Sequence, residues 1–254
     1  MIEYKTDKIS YSYTKEDVIK NITLDFKPNT INVLIGLNGS GKTTLIKLLA
    51  GIFKPNNGQV QINGKDLCTY SYHERSKFIS YVSQELNVGD DYLVEEYLSF
   101  GLMNTLKFYQ SPTHKSITKV QNAASKFKIY DFLNKRMNEL SGGEKQIVSI
   151  CRAYIQDTEI MILDEPTSAL DFKNQNLILN ILKEVASVDK IIILSTHNPN
   201  HALYLDSNAL LIDKGEIIKS GPASVVVKKE ILNSVYGNNL KYSKELKYNE
   251  ITIG

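Results

Sequence analysis

Cysteine is scarce in this chain of 254 residues: only Cys68 and Cys151 occur, far apart and in no paired motif. That argues against a disulfide framework or a cysteine metal cluster and fits reduced thiols of an intracellular protein. Long apolar runs are missing too. None approaches the roughly 18 residues of a membrane span, so a membrane process would need another chain to supply the membrane part. The start, Met1-Ile2-Glu3-Tyr4-Lys5, does not read as a signal peptide, and residence in the cytoplasm is expected. An excess of one charge is also absent. The net charge is +2, which offers no basic footprint for nucleic acid, and no nucleic-acid partner is expected. Internal repeats and low-complexity segments are lacking.

What is present is a globular composition, 42% hydrophobic and 23% charged. The length suits one large domain, or one domain with an insertion. Residues 1–30 mix short β-like runs with turns. Ile31–Ile35 reads as a strand ending at a glycine, and Lys42–Ala50 as a helix with Gly51 as its stop. Gln59–Ile62 leads into the turn Asn63-Gly64, and Ile79–Ser83 reads as a further strand. From about 88 to 155 the pattern turns helical and polar, as in an inserted subdomain. Ile160–Leu163 and Ile191–Leu194 look like buried parallel strands. Ala209–Ile212 and Glu216–Lys219 flank a hairpin turn. The expected organisation is one domain over 1–222, then a lysine-rich tail over 223–254.

Gly36-Leu37-Asn38-Gly39-Ser40-Gly41-Lys42-Thr43-Thr44 satisfies G-x-x-x-x-G-K-[ST] between a strand and a helix. Its glycines let backbone N–H groups turn inward around phosphates, and the helix start adds a favourable dipole. Lys42 is expected at the β- and γ-phosphates of ATP and Thr43 at Mg²⁺. The apolar strand Ile160–Leu163 ends in Asp164-Glu165. Asp164 suits the magnesium ion, and Glu165 is placed to polarise an attacking water. Without the upstream loop, the pair would read equally well as two surface acids.

A second anion-reading stretch is Leu140-Ser141-Gly142-Gly143-Glu144-Lys145-Gln146. Ser141 and Glu144 form a capping box, and Ile147, Cys151, Tyr154 and Ile155 trace one apolar face behind it. Gly142 and Gly143 are poor helix formers that bare the first N–H groups. A capped helix without a ligand and a second phosphate site both remain open on the residues alone.

Residues 140–146 closely resemble the signature of the ABC ATPases, and further motifs follow in that family's order from about residue 2 to about 240. The resemblance implies an α/β P-loop NTPase with a RecA-like core, an N-terminal antiparallel β subdomain and an inserted helical subdomain. It implies that Tyr13 stacks on adenine, that Gln84 contacts the metal and couples to a partner, that Ser168–Asp171 is the D-loop, and that His197 is the switch histidine. It further implies a head-to-tail dimer of two copies. Lys42, Thr43, Gln84, Asp164, Glu165 and His197 of one copy would then face Ser141, Gly142 and Gly143 of the other, with Asp171 passing the state between sites. Ile147 stands where the family often has arginine, and Cys151 where alanine is usual.

The interval from Lys42 to Asp164 leaves no room for the long coiled coils of chromosome-organising relatives. The single motif set argues against the translation-factor type. What remains resembles an importer subunit that drives a separate membrane permease docking near residues 85–105. Ser195–Ala202 and Val235-Tyr236-Gly237 resemble importers of iron–siderophore complexes, haem and cobalamin, although Gly101-Leu102 departs from their usual Gly-Arg. Zinc or manganese importers, a clamp acting on nucleic acid and an assembly factor are the alternatives. His73, His114 and His201 have no partners visible in sequence.

Overall fold

The computed structural model describes residues 2–85, 91–104, 114–186 and 189–237. The chain opens with β1 (Tyr4–Ser12), β2 (Asp17–Phe26), β3 (Thr30–Ile35) and α1 (Lys42–Leu49). Next come β4 (Asn57–Ile62), β5 (Lys65–Asp66), α2 (Tyr72–Phe78) and β6 (Ile79–Val82). A helical stretch follows, with α3 (Val94–Ser99), α4 (His114–Lys126) and α5 (Gly142–Gln156). The chain then alternates through β7 (Ile160–Leu163), α6 (Phe172–Val185), β8 (Ile191–Thr196) and α7 (Pro199–Tyr204). The hairpin β9 (Asn208–Asp213) and β10 (Glu216–Pro222) precedes α8 (Ala223–Val226) and α9 (Lys229–Tyr236).

Two sheets result. One is antiparallel, in the order β2-β1-β4-β5; the other runs β10-β9-β3-β8-β7-β6. Within the second, β9, β3, β8, β7 and β6 are parallel and only β10 is antiparallel. Buried alternation along β3 gives this sheet two apolar faces. Ile31, Val33 and Ile35 join one cluster, with residues of α3 to α9, while Leu34 joins another, with α1 and the antiparallel sheet. Asn32, buried between them, is satisfied by Thr30, the carbonyl of Ile192 and Asn208.

Residues 4–26 form two long strands rather than short runs. Their pairing shifts register between Thr6 and Ile9 and again toward Ser12, with Lys8 and Asn21 in the left-handed region. Each bulge breaks the two-residue alternation, which makes one strand look like several in sequence. Helix α5 is buried almost all round, from Gln146 to Cys151 and again at Ala153 and Ile155. Core residues of α3 and α4 pack beside it, so its apolar face is wider than the sequence stripe. The segment after 223 is not all tail: Ala223, Val226 and Leu232 are core residues, and Ile231, Val235 and Tyr236 pack on them. Amphipathic spacing on α9 turns Ile231, Leu232, Val235 and Tyr236 toward the core while Lys228 and Lys229 stay exposed.

Candidate functional site

Four adjacent parallel strands deliver the expected site residues from their carboxyl ends. The phosphate-loop sequence follows β3, His197 follows β8, Asp164 and Glu165 follow β7, and Gln84 lies just after β6. This edge of a parallel sheet is where such folds gather their ligands. A cavity of about 850 Å³ opens there, lined by Val18, Gly36–Gly39, Gly41–Thr44, Gln84, Glu165, His197 and Tyr236.

The loop has the backbone form its glycines permit. Gly39 and Gly41 sit at φ 79° and 104°, in the left-handed region. Gly41 is the N-cap of α1 and brings no side chain to the helix start, which leaves the first-turn N–H groups available to an anion. Ser40 Oγ is buried without a hydrogen-bond partner among the described residues. Lys42 Nζ donates to the carbonyls of Gly36 (2.9 Å) and Leu37 (3.0 Å) and stands 3.9 Å from Glu165 Oε1. Burial lowers the Lys42 ammonium, and the nearby Glu165 and Asp164 charges oppose that shift.

Asp164 is 1% exposed. Its Oδ1 accepts from Ser195 Oγ at 2.6 Å and from Thr43 Oγ1 at 3.3 Å. Its Oδ2 is buried with no partner among the described residues. Burial pushes this carboxyl up, with the Glu165 charge adding to the rise, while the Ser195 and Thr43 hydrogen bonds pull the other way. A buried carboxylate with one idle oxygen beside a threonine hydroxyl fits a small divalent cation, which takes few protein ligands beside phosphate and water oxygens. Thr43 and Asp164 would hold magnesium, and Gln84, exposed at the cavity wall, shares the cavity lining with Thr43. Among the described residues no cluster of three His, Cys, Asp or Glu forms a metal cage.

Glu165 is held at every side. Its φ of 45° is uncommon for a residue with a side chain. Its N–H donates to Ser195 Oγ (2.8 Å), and its carbonyl accepts from the N–H and Oγ of Ser168. His197 Nδ1 lies 3.2 Å from Glu165 Oε2, so the carboxylate sits between an imidazole and an ammonium.

Two contributors escaped the sequence reading. Ser195 bridges Asp164 and Glu165, yet within an apolar strand it reads as filler. His201 is not an ordinary surface histidine. It is 2% exposed, its Nδ1 lies 3.0 Å from Thr196 Oγ1, and its Nε2 lies 3.3 Å from Asn198 Nδ2. The Asn198 amide nitrogen can only donate, so Nε2 accepts and Nδ1–H donates to Thr196. Burial, with the His197 charge nearby, holds its pKa down to about 4. Thr196 Oγ1 also accepts the Asn198 N–H (3.1 Å). The backbone on both sides of His197 is therefore tied to one buried, neutral ring.

Other expected residues lie outside the cavity lining. Tyr13 is 55% exposed. Its hydroxyl is 3.2 Å from Thr44 Oγ1, and its ring makes edge contacts with Tyr11 and Phe53. Ser141 caps α5 and completes the capping box with Glu144. Asp171 caps α6 by accepting the Asn174 N–H. A Cβ on Gly143 would come 2.9 Å from the Ala169 carbonyl, whereas one on Gly142 would meet nothing within 4 Å among the described residues. Packing accounts for the first glycine and not for the second. The permease-docking expectation at 85–105 falls partly on 86–90 and on residue 105, outside the described residues.

The ABC transporter family profile matches residues 19–168. An "Uncharacterized ABC transporter ATP-binding protein" of Haemophilus influenzae is 33% identical over 91% of this chain and 88% of its own. A "Probable iron chelatin transport ATP-binding protein" of Helicobacter pylori is 26% identical over 92% of each. Among solved structures, a dimeric bacterial ABC transporter cassette is 25% identical with a TM-score of 0.79, covering 88% of this chain and 99% of that one.

Proposed function

The chain belongs to the ABC transporter family as an ATP-hydrolysing, ATP-binding subunit, and from that premise we propose that it powers an importer of a metal chelate: an iron–siderophore complex, haem or cobalamin. Two copies would close head to tail on ATP beside a separate integral membrane permease, placing the chain peripherally on the inner face of the membrane. The observation that carries the shared site is Gly142. It sits at an open helix start, and a second copy's γ-phosphate would give its bare N–H a purpose.

The geometry supports the roles proposed for the cavity residues, and the family resemblance supplies those of Tyr13 and Asp171. Lys42 and the loop N–H groups hold the phosphates, Thr43, Asp164 and Gln84 hold magnesium, and Tyr13 flanks the base. Bound magnesium would neutralise charge on the β- and γ-phosphates. Glu165, fixed through Ser195 and Ser168, polarises the water whose oxygen attacks the γ-phosphorus as the bond to the β-phosphate oxygen breaks. His197 steadies that carboxylate and the terminal phosphate. Loss of the γ-phosphate removes the charge shared by two copies and opens the pair, with Asp171 linking the two sites. Support for the iron chelate comes from residues 195–202 and the Helicobacter relative.

Purification of the tagged chain from detergent-solubilised membranes tests the assignment. A many-span protein should accompany it, and uptake of a labelled ferric chelate by the host should fall when Lys42→Ala replaces the native chain. Bound nucleic acid without any membrane protein would overturn the importer reading. Unimpaired chelate uptake would overturn the cargo.

A further inference from the structure

His197 sits in a very short connection. Strand β8 ends at Thr196 and α7 begins at Pro199, so His197 and Asn198 alone lie between them. Proline at the first helical position keeps Asn198 extended, at φ −101° and ψ 105°. The His197 side chain is 60% exposed and reaches Glu165 Oε2 at 3.2 Å. Packing holds little of a ring that exposed, so its direction is set by the backbone that carries it.

That backbone is anchored by His201, which is 2% exposed. The Asn198 side chain caps α7, its Oδ1 accepting the Asn200 N–H at 3.1 Å. The cap fixes the amide so that Nδ2 faces His201 Nε2 at 3.3 Å. A donor on that side leaves Nε2 as the acceptor and Nδ1–H as the donor, and Nδ1 meets Thr196 Oγ1 at 3.0 Å. The same oxygen accepts the Asn198 N–H at 3.1 Å. One ring thus joins the residue before His197 to the residue after it. Burial keeps the ring neutral, with its pKa down at about 4, and the neutral ring is the form that donates on one side and accepts on the other.

We propose that His201 is a positioning residue for ATP hydrolysis: in its Nδ1–H form it sets the two-residue link so that the His197 imidazole stands against Glu165 at the cavity. Being buried, it acts through His197 rather than on the nucleotide. The inference rests on the role proposed above for His197.

His201→Leu removes both hydrogen bonds and keeps an apolar side chain in the space. His201→Gln keeps one donor and one acceptor. ATP turnover, with kcat and KM separated, is measured for both variants and again for His201→Leu combined with His197→Ala. His201→Leu should lower kcat about ten-fold or more, as a displaced catalytic group does. Its KM for ATP should stay within about two-fold of native, because Lys42 and the phosphate loop are untouched. His201→Gln should recover most of the lost kcat. In the His197→Ala background, His201→Leu should change kcat by less than about two-fold, since the group it positions is gone. Nitrogen-15 NMR of the native protein at neutral pH should show His201 with a protonated Nδ1 and a bare Nε2. A native kcat in His201→Leu, an equal loss in both backgrounds, or a protonated Nε2 would overturn the assignment. Native turnover by His197→Ala alone would instead overturn the role of His197, and this inference with it.

Discussion

Ser195→Ala removes a single oxygen that serves two residues of the site. Ser195 is 0% exposed. Its hydroxyl donates to Asp164 at 2.6 Å and accepts the Glu165 N–H at 2.8 Å. Alanine leaves Asp164 Oδ1 with Thr43 alone, at 3.3 Å, and leaves the Glu165 N–H without its acceptor. A hydrogen bond to a charged group contributes about 1.5–3 kcal/mol, and an unsatisfied buried donor costs about 1–3 kcal/mol. The two effects share one atom, so a combined loss of about 3 kcal/mol is expected, or about 8 °C in Tm for a domain of this size. Ser168→Ala is the comparison. Ser168 is exposed and its hydroxyl only supports the Glu165 carbonyl, so that variant should lose well under about 1 kcal/mol. Urea unfolding and differential scanning calorimetry measure both. Turnover should fall roughly a hundred-fold in Ser195→Ala, because a carboxylate displaced by about an ångström no longer aligns its water. A Ser195→Ala protein that melts within about 1 °C of native and hydrolyses ATP normally would refute the bridge.

Two further variants separate stability from activity. Asp164→Asn should stabilise the nucleotide-free protein at neutral pH while abolishing magnesium-dependent turnover. The folded carboxyl is raised by burial, so its contribution to stability is fully present below the ordinary carboxylate range and is lost as pH rises through the folded value. The advantage of asparagine in urea midpoint should therefore shrink as pH is lowered; an advantage independent of pH would contradict the linkage. Gly142→Ala meets no neighbour among the described residues and replaces glycine in a helix, so the monomer should gain roughly 0.5–1 kcal/mol while ATP-driven pairing and turnover are lost. Normal turnover in this variant would contradict a role for the open helix start.

Much of the site was legible because its signals are local. The phosphate loop depends on glycines and a lysine at fixed spacing, and Asp164-Glu165 announces itself at the end of an apolar strand. Ser195 was not legible, because its role depends on pairing across the sheet. The β7–β8 register sets Leu163 opposite Leu194, and only that places Ser195 beside Asp164. His201 looked idle for a different reason: its partners Thr196 and Asn198 lie close to it in sequence, at the end of β8 and the cap of α7, and burial makes them matter. Tyr236 reaches the cavity lining because α9 packs onto the core cluster, a tertiary fact that no local spacing carries. Sequence also treated Gly142 and Gly143 alike, whereas the Ala169 carbonyl explains one of them and leaves the other open.

The shared site is tested most directly by the mass of Glu165→Gln in solution. The substitution keeps the shape of the side chain and removes the charge proposed to polarise water, so ATP should persist once bound. Size-exclusion chromatography with light scattering should give a monomer without nucleotide and a dimer with ATP and magnesium. A monomer under saturating ATP at high protein concentration, and no closed pair when the permease is present, would contradict the account.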